Sequence, residues 1–152
     1  MFRVVLVCTG NICRSPLAEK VLAREVERAG LADRVAVASA GTGPWHVGDP
    51  ADSRAAALLR DHGYPDDHVA RQLDDELLAA DLLVALDEEH RRELRRLADP
   101  DRVVLLRAFD PAAPPGAGVP DPYYGGPEGF TDVLTMIRAA TPGLLEHVKA
   151  QL

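Results

Sequence analysis

Cysteine is scarce: the 152 residues carry two, Cys8 and Cys13, five positions apart. Two thiols so placed build no disulfide framework, which points to a reducing compartment. Basic residues are outnumbered, 17 Lys and Arg against 24 Asp and Glu, for a formal net charge of −7. Binding along a nucleic-acid backbone needs a basic face, so nucleic acid is excluded as a partner. A phosphate monoester can still be held if one site is locally positive. Long apolar runs are missing too; none approaches the ~20 residues of a membrane-spanning helix. Met1-Phe2-Arg3 leads at once into a short apolar run ending at a cysteine and a turn, which is no export signal. A cytoplasmic protein with no membrane partner is expected, export without a signal peptide being the open alternative. No His, Cys or Asp cluster has metal-ligand spacing, so neither a metal nor another cofactor is expected. Repeats and linkers are absent as well, which fits 1–152 as a single domain.

What is present is an alternation of strands and helices. Hydrophobic residues make up 47% of the chain, enough for a core. Residues 3–7 are apolar throughout Val4-Val5-Leu6-Val7, as in a strand covered on both faces. A helix is expected over 17–29, with Ser15 as N-cap, Pro16 at the first helical position and Gly30 as its stop. A second strand is expected over 34–39, then a Gly- and Pro-rich loop over 40–50 with the only tryptophan, Trp45. Asp49-Pro50 reads as the start of a helix running to His62. Residues 74–80 read as a short helix, 81–86 as a third strand, and 88–98 as a charged helix with Leu94 and Leu97 facing in. A fourth strand is expected over 103–106. Residues 107–127 carry six prolines in a long loop, and loops of that length are usually functional or disordered. Helix over 128–152 closes the chain, with a possible break at Thr141-Pro142-Gly143. This order implies an α/β three-layer sandwich, a four-stranded parallel sheet with helices on both faces. Ligands in such folds sit beyond the carboxyl ends of strands, where the loop carrying Cys8 leaves the first one.

That loop, Cys8 to Ser15, suits a phosphoryl dianion. Inward-turned backbone N–H groups cradle equatorial oxygens, and a following helix N-terminus adds partial positive charge. Small Thr9 and Gly10 permit a tight turn. Arg14 can grip two oxygens with its planar fork. The sulfur of Cys8 then lies in line with phosphorus, and the same surroundings favour thiolate over thiol. Ser15 can donate to that sulfur and ease its departure, and Asn11 can hold the loop through its amide, including a left-handed residue. A lone cysteine at a strand end is more often core packing. Here strand, glycine-bearing loop, Arg-Ser and proline coincide, which favours a nucleophile.

Val7-Cys8-Thr9-Gly10-Asn11-Ile12-Cys13-Arg14-Ser15-Pro16-Leu17-Ala18-Glu19 resembles the phosphate loop of the low-molecular-weight protein tyrosine phosphatases. Asp121-Pro122-Tyr123-Tyr124-Gly125-Gly126 resembles that family's general-acid loop, and the likeness spans essentially the whole chain. The resemblance implies strand order 2-1-3-4 and a bacterial, actinobacterial-like member that hydrolyses phosphotyrosine through a phosphocysteine on Cys8. Catalysis would fall to Cys8, Arg14 and Asp121. Without the resemblance, Asp121-Pro122 reads as a turn. Thr9 to Cys13 and Ser15 would contact phosphate or substrate, and Trp45, His46, Tyr123 and Tyr124 would line the cleft. Ser39 and His68 would join Asn11 and Ser15 in a network under the loop, while His62, His90 and His147 receive no role. Cys13 has two readings, packing beneath the loop or a reversible disulfide with Cys8 against overoxidation. The implied partners are phosphotyrosine proteins and inorganic phosphate as product and inhibitor, for a monomer or weak dimer.

Rival readings meet specific obstacles. Arsenate reductases of this fold need further cysteines, and the chain has only Cys13 besides Cys8. Phosphoarginine phosphatases of the family carry threonine where Ile12 stands and lack the tyrosine pair. A non-catalytic phosphopeptide module would require neither Cys8 nor Asp121. A dithiol redox protein would show Cys-x-x-Cys spacing.

Overall fold

Strand β1, Phe2–Cys8, is the axis of the molecule, a computed structural model that describes residues 1–152. Successive side chains of a strand point to opposite faces, and here both faces are covered. Val4, Leu6 and Cys8 enter a larger core with helices α1 (Arg14–Arg28), α2 (Ser53–Asp61) and α5 (Pro127–Lys149). Val5 and Val7 enter a smaller one with Leu77 of helix α3 (Asp75–Leu78) and Leu94 of helix α4 (Glu88–Leu97). This explains the unbroken apolar run of β1. The remaining strands are β2 (Val35–Gly41), β3 (Leu82–Ala85) and β4 (Val103–Leu105). All pair in parallel in the order β2-β1-β3-β4, the expected 2-1-3-4 sandwich.

Chain connectivity places the site. From β1 the chain goes by α1 to β2 on one side, while β3 pairs on the other. The loops after β1 and β3 therefore meet at a switch point beyond the carboxyl ends of adjacent strands. Gly41 ends β2 there, and a Cβ on it would stand 2.6 Å from the Thr9 carbonyl oxygen, so backbone packs directly on backbone.

Four local expectations shift. Helix α1 begins at Arg14 with Cys13 in the N-cap position and no side-chain cap. Ser15 and Pro16 lie inside its first turn, where proline's missing N–H costs nothing, and the Ser15 hydroxyl is committed elsewhere. Helix α2 starts at Ser53, capped by Asp52, whose carboxylate accepts from the Arg54 N–H at 2.9 Å. The Asp49 carbonyl instead accepts from Ala70 N. Leu94 is fully buried, but Leu97 is 54% exposed because it ends α4, and Ala98, already in extended backbone, packs on the smaller core. Helix α5 runs unbroken through Pro142. Thr141 Oγ1 donates to the Ile137 carbonyl at 2.6 Å, and Gly143 leaves room for backbone of the 3₁₀ turn Leu106–Phe109, since a Cβ there would stand 2.5 Å from Phe109 O.

Candidate active site

The loop between β1 and α1 turns on Asn11, the only non-glycine residue with positive φ, 57°. A left-handed residue costs free energy unless its surroundings fix it. Asn11 is completely buried, and both ends of its side-chain amide and its carbonyl are engaged. Its Nδ2 donates to Ser15 Oγ at 2.8 Å and to Ser39 Oγ at 2.9 Å, and its Oδ1 accepts from Arg71 N at 3.0 Å. Its carbonyl lies 2.6 Å from His68 Nε2. Donor direction then propagates. Ser39 Oγ accepts from Asn11 and donates to Glu19 Oε1 at 2.6 Å. Ser15 Oγ likewise accepts from Asn11, which leaves its single hydrogen for Cys8 Sγ, 2.9 Å away.

Arg14, on the first turn of α1, is buried with the loop. Its Nη1 donates to Asp87 Oδ2 at 2.9 Å and to the Val119 carbonyl at 3.0 Å; its Nη2 donates to Thr9 Oγ1 at 3.4 Å. Asp87 caps α4 just beyond β3, accepting from His90 N at 2.9 Å. Burial alone would raise the Asp87 carboxyl, but His90 and then Arg14 outweigh it and hold it well below the usual carboxylate range. His90 is buried too; Nδ1 stands 2.9 Å from Asp87 Oδ1 and Nε2 stands 2.8 Å from Thr9 Oγ1. With Nδ1 protonated toward the carboxylate, Nε2 accepts from the Thr9 hydroxyl, and Thr9 Oγ1 in turn accepts from Arg14. Arg14, Thr9, His90 and Asp87 thus close a ring of polar contacts that orients the guanidinium.

Above the loop lies a cavity of about 350 Å³. Cys8, Cys13 and Arg14 form its floor, with Thr9, Gly10 and Ile12 around them. Trp45, His46, Tyr123 and Tyr124 make its walls, and Asp121 reaches it from the long proline-rich loop. The tyrosine rings meet edge to face, centroids 5.0 Å apart. Asp121 Oδ2 stands 3.9 Å from Arg14 Nη2, while Oδ1 accepts from Tyr123 N at 3.1 Å. The turn reading of Asp-Pro and the cavity position therefore hold together. Cys13 is a free thiol, as is Cys8; burial, then the negative charges of Asp52, Cys8 and Asp121, push it up to about 12.

Residues 3–152 match the family model described as low molecular weight phosphotyrosine protein phosphatase. The chain belongs to that family. It is 55% identical to low molecular weight protein-tyrosine phosphatase A of Mycobacterium tuberculosis over 98% of this chain and 93% of the relative. It is 54% identical to a low molecular weight protein-tyrosine-phosphatase of Streptomyces coelicolor, covering 99% and 96% respectively. A crystal structure of a protein tyrosine phosphatase from Entamoeba histolytica superposes with a TM-score of 0.93 at 30% identity, covering 99% of each chain. Membership makes the chain a hydrolase of the protein phosphatase class. In this low molecular weight phosphatase Asn11, Ser15, Ser39 and His68 lie together behind the loop rather than in the cavity. Sequence reasoning passed over Asp87, His90, Asp52 and Arg54. The available signal for Asp87 was its position: an N-cap just past β3, on the strand neighbouring β1. No helix is long and apolar enough to cross a membrane.

Proposed function

We propose that the chain hydrolyses phosphotyrosine in proteins. The observation that carries this is the shared cavity: Cys8, Arg14, Asp121 and the aromatic walls line one space, with the Ser15 hydroxyl on the sulfur behind it. The Cys8 thiolate attacks phosphorus in line while loop N–H groups and Arg14 hold the equatorial oxygens. The bond from phosphorus to the tyrosyl oxygen breaks, and Asp121 gives its proton to that oxygen. As carboxylate, Asp121 then takes a proton from the water that attacks phosphocysteine. The S–P bond breaks with its electron pair returning to sulfur, the Ser15 hydroxyl donates a hydrogen bond to the thiolate that re-forms, and inorganic phosphate leaves. Flat aromatic walls fit a phenyl ring, and Ile12 with Tyr123 and Tyr124 favours phosphotyrosine over phosphoarginine.

Phosphotyrosine proteins as partners, phosphate as a competitive product, a single domain over 1–152 and a cytoplasmic setting belong to the same reading. So does a protective Cys8–Cys13 disulfide, although a Cys13 thiol held protonated at neutral pH attacks oxidised Cys8 slowly. The test is a parallel assay on phosphotyrosine, phosphoserine and phosphoarginine peptides, with Cys8→Ser as control. Turnover confined to phosphotyrosine and abolished in Cys8→Ser, with phosphate still bound, is expected. Preference for phosphoarginine would overturn the substrate, and substantial residual turnover the covalent step.

A further inference from the structure

The loop bearing Asp121 is fastened to the body of the protein at few points. Val119 anchors its entrance, N–H to the Leu86 carbonyl at 2.7 Å. From 120 to 125, however, the only hydrogen bonds arriving from outside the loop come from Arg54 on α2. Arg54 Nη1 donates to the Gly125 carbonyl at 2.8 Å and Nη2 to the Tyr123 carbonyl at 2.9 Å. The same guanidinium lies over the rings of Phe130, 4.4 Å from its centroid, and Tyr123, 5.8 Å away. Asp52 fixes it from behind, Oδ1 accepting from Nε at 3.0 Å and Oδ2 from Nη2 at 3.0 Å. Asp52 N in turn donates to the Ile12 carbonyl of the phosphate loop at 2.9 Å. One helical turn therefore touches both loops.

We propose that Arg54 is a positioning residue that sets where the Asp121 carboxyl stands relative to the leaving oxygen, with Asp52 referencing it to the phosphate loop. The inference rests on Asp121 being the general acid. A planar fork is needed because two carbonyls two residues apart must be held at once. Tyr123 joins the two halves of the device: its carbonyl is held by Arg54 while its N–H donates to Asp121 Oδ1. Displacing that peptide displaces the acid, and displacements of about 1 Å in a reacting group cost on the order of 100-fold in rate.

The experiment measures kcat/KM of Arg54→Gln and Arg54→Lys on aryl phosphates with leaving phenols of graded acidity. Arg54→Lys keeps the charge against Asp52 but cannot bridge both carbonyls, so it reports even if Arg54→Gln folds poorly. Loss on the order of 10–100-fold is expected for phenyl phosphate, the poor leaving group, with little loss for 2,4-dinitrophenyl phosphate, which needs no proton. Inhibition by inorganic phosphate should stay unchanged. In an Asp121→Asn background the Arg54 substitutions should add no further loss. Equal loss on good and poor leaving groups, or undiminished loss in that background, while Asp121→Asn alone remains leaving-group dependent, would overturn the positioning role only. If Asp121→Asn shows no such dependence, the acid assignment fails and the positioning role falls with it.

Discussion

The nucleophile loop and the acid loop face each other across one cavity but are held in opposite ways. Around Asn11 the phosphate loop is fixed by bonds with Ser15, Ser39, His68 and Arg71, drawn from several elements, those with Ser15 and Ser39 fully buried. Past its anchor at Val119, the acid loop receives hydrogen bonds from outside over residues 120–125 only from Arg54, and its Tyr124 is 91% exposed. A cradle for a dianion works by having its donors in place before the charge arrives, so any looseness there is lost electrostatic stabilisation. A loop carrying an acid over the mouth of the cavity must admit a protein side chain and release phosphate, which suits a segment with few ties. Stability is thus concentrated on the phosphate side and adjustability on the acid side.

The comparison breaks most visibly at Asn11. Asn11→Ala removes the amide that serves Ser15, Ser39 and Arg71 and leaves alanine in a left-handed conformation. A loss of about 3–5 kcal/mol is expected by denaturant unfolding, together with phosphatase activity. A comparable stability with retained turnover would mean the loop is not the rigid member of the pair. A matched pair of glycines sharpens the contrast. The Cβ of Gly41→Ala meets Thr9 backbone at 2.6 Å, whereas that of Gly125→Ala meets nothing nearer than Pro122 O at 3.7 Å. About 2 kcal/mol or more of destabilisation is expected for the first, and less than about 0.5 kcal/mol for the second. Similar melting shifts for both would contradict the uneven distribution.

The smallest effect is in acid. The Asp87 carboxyl is held below its unfolded value of roughly 3.9, so its stabilising contribution is complete above that value and lost as pH falls through the lower folded one. Thermal melts of wild type and Asp87→Asn should differ steadily from neutral pH down to about 5, then converge below about 4. A gap that widens on acidification would show that the ring of Arg14, Thr9, His90 and Asp87 does not hold the carboxylate ionised.

The acid side was also the harder one to read. The apolar run of β1, the stripe of α1 and the alternation of elements made the parallel sandwich legible, because burial patterns are written into local sequence. Helix starts were less so: Asp49 and Asp52 both precede a helix, and the choice fell to Asp52 because its carboxylate reaches both its own first turn and the Arg54 guanidinium. His90, the one histidine of a charged helix, received no role from the sequence. It is buried because the end of β3 lies beside the end of β1, 81 positions away from Thr9 in sequence.

The sequence by itself determined the nucleophile, the arginine, the hydroxyl on the sulfur and the helix behind them, since Cys8 to Ser15 is one continuous segment whose chemistry depends on neighbours only a few residues apart. Tertiary structure alone decided how the guanidinium is aimed, by Asp87 and His90, and how the acid is held, by Arg54. Those contacts join residues 69 to 81 positions apart. Local pattern carries no record of such pairs: they come together only when parallel strands align their carboxyl ends and α2 packs beside the loop that follows β4.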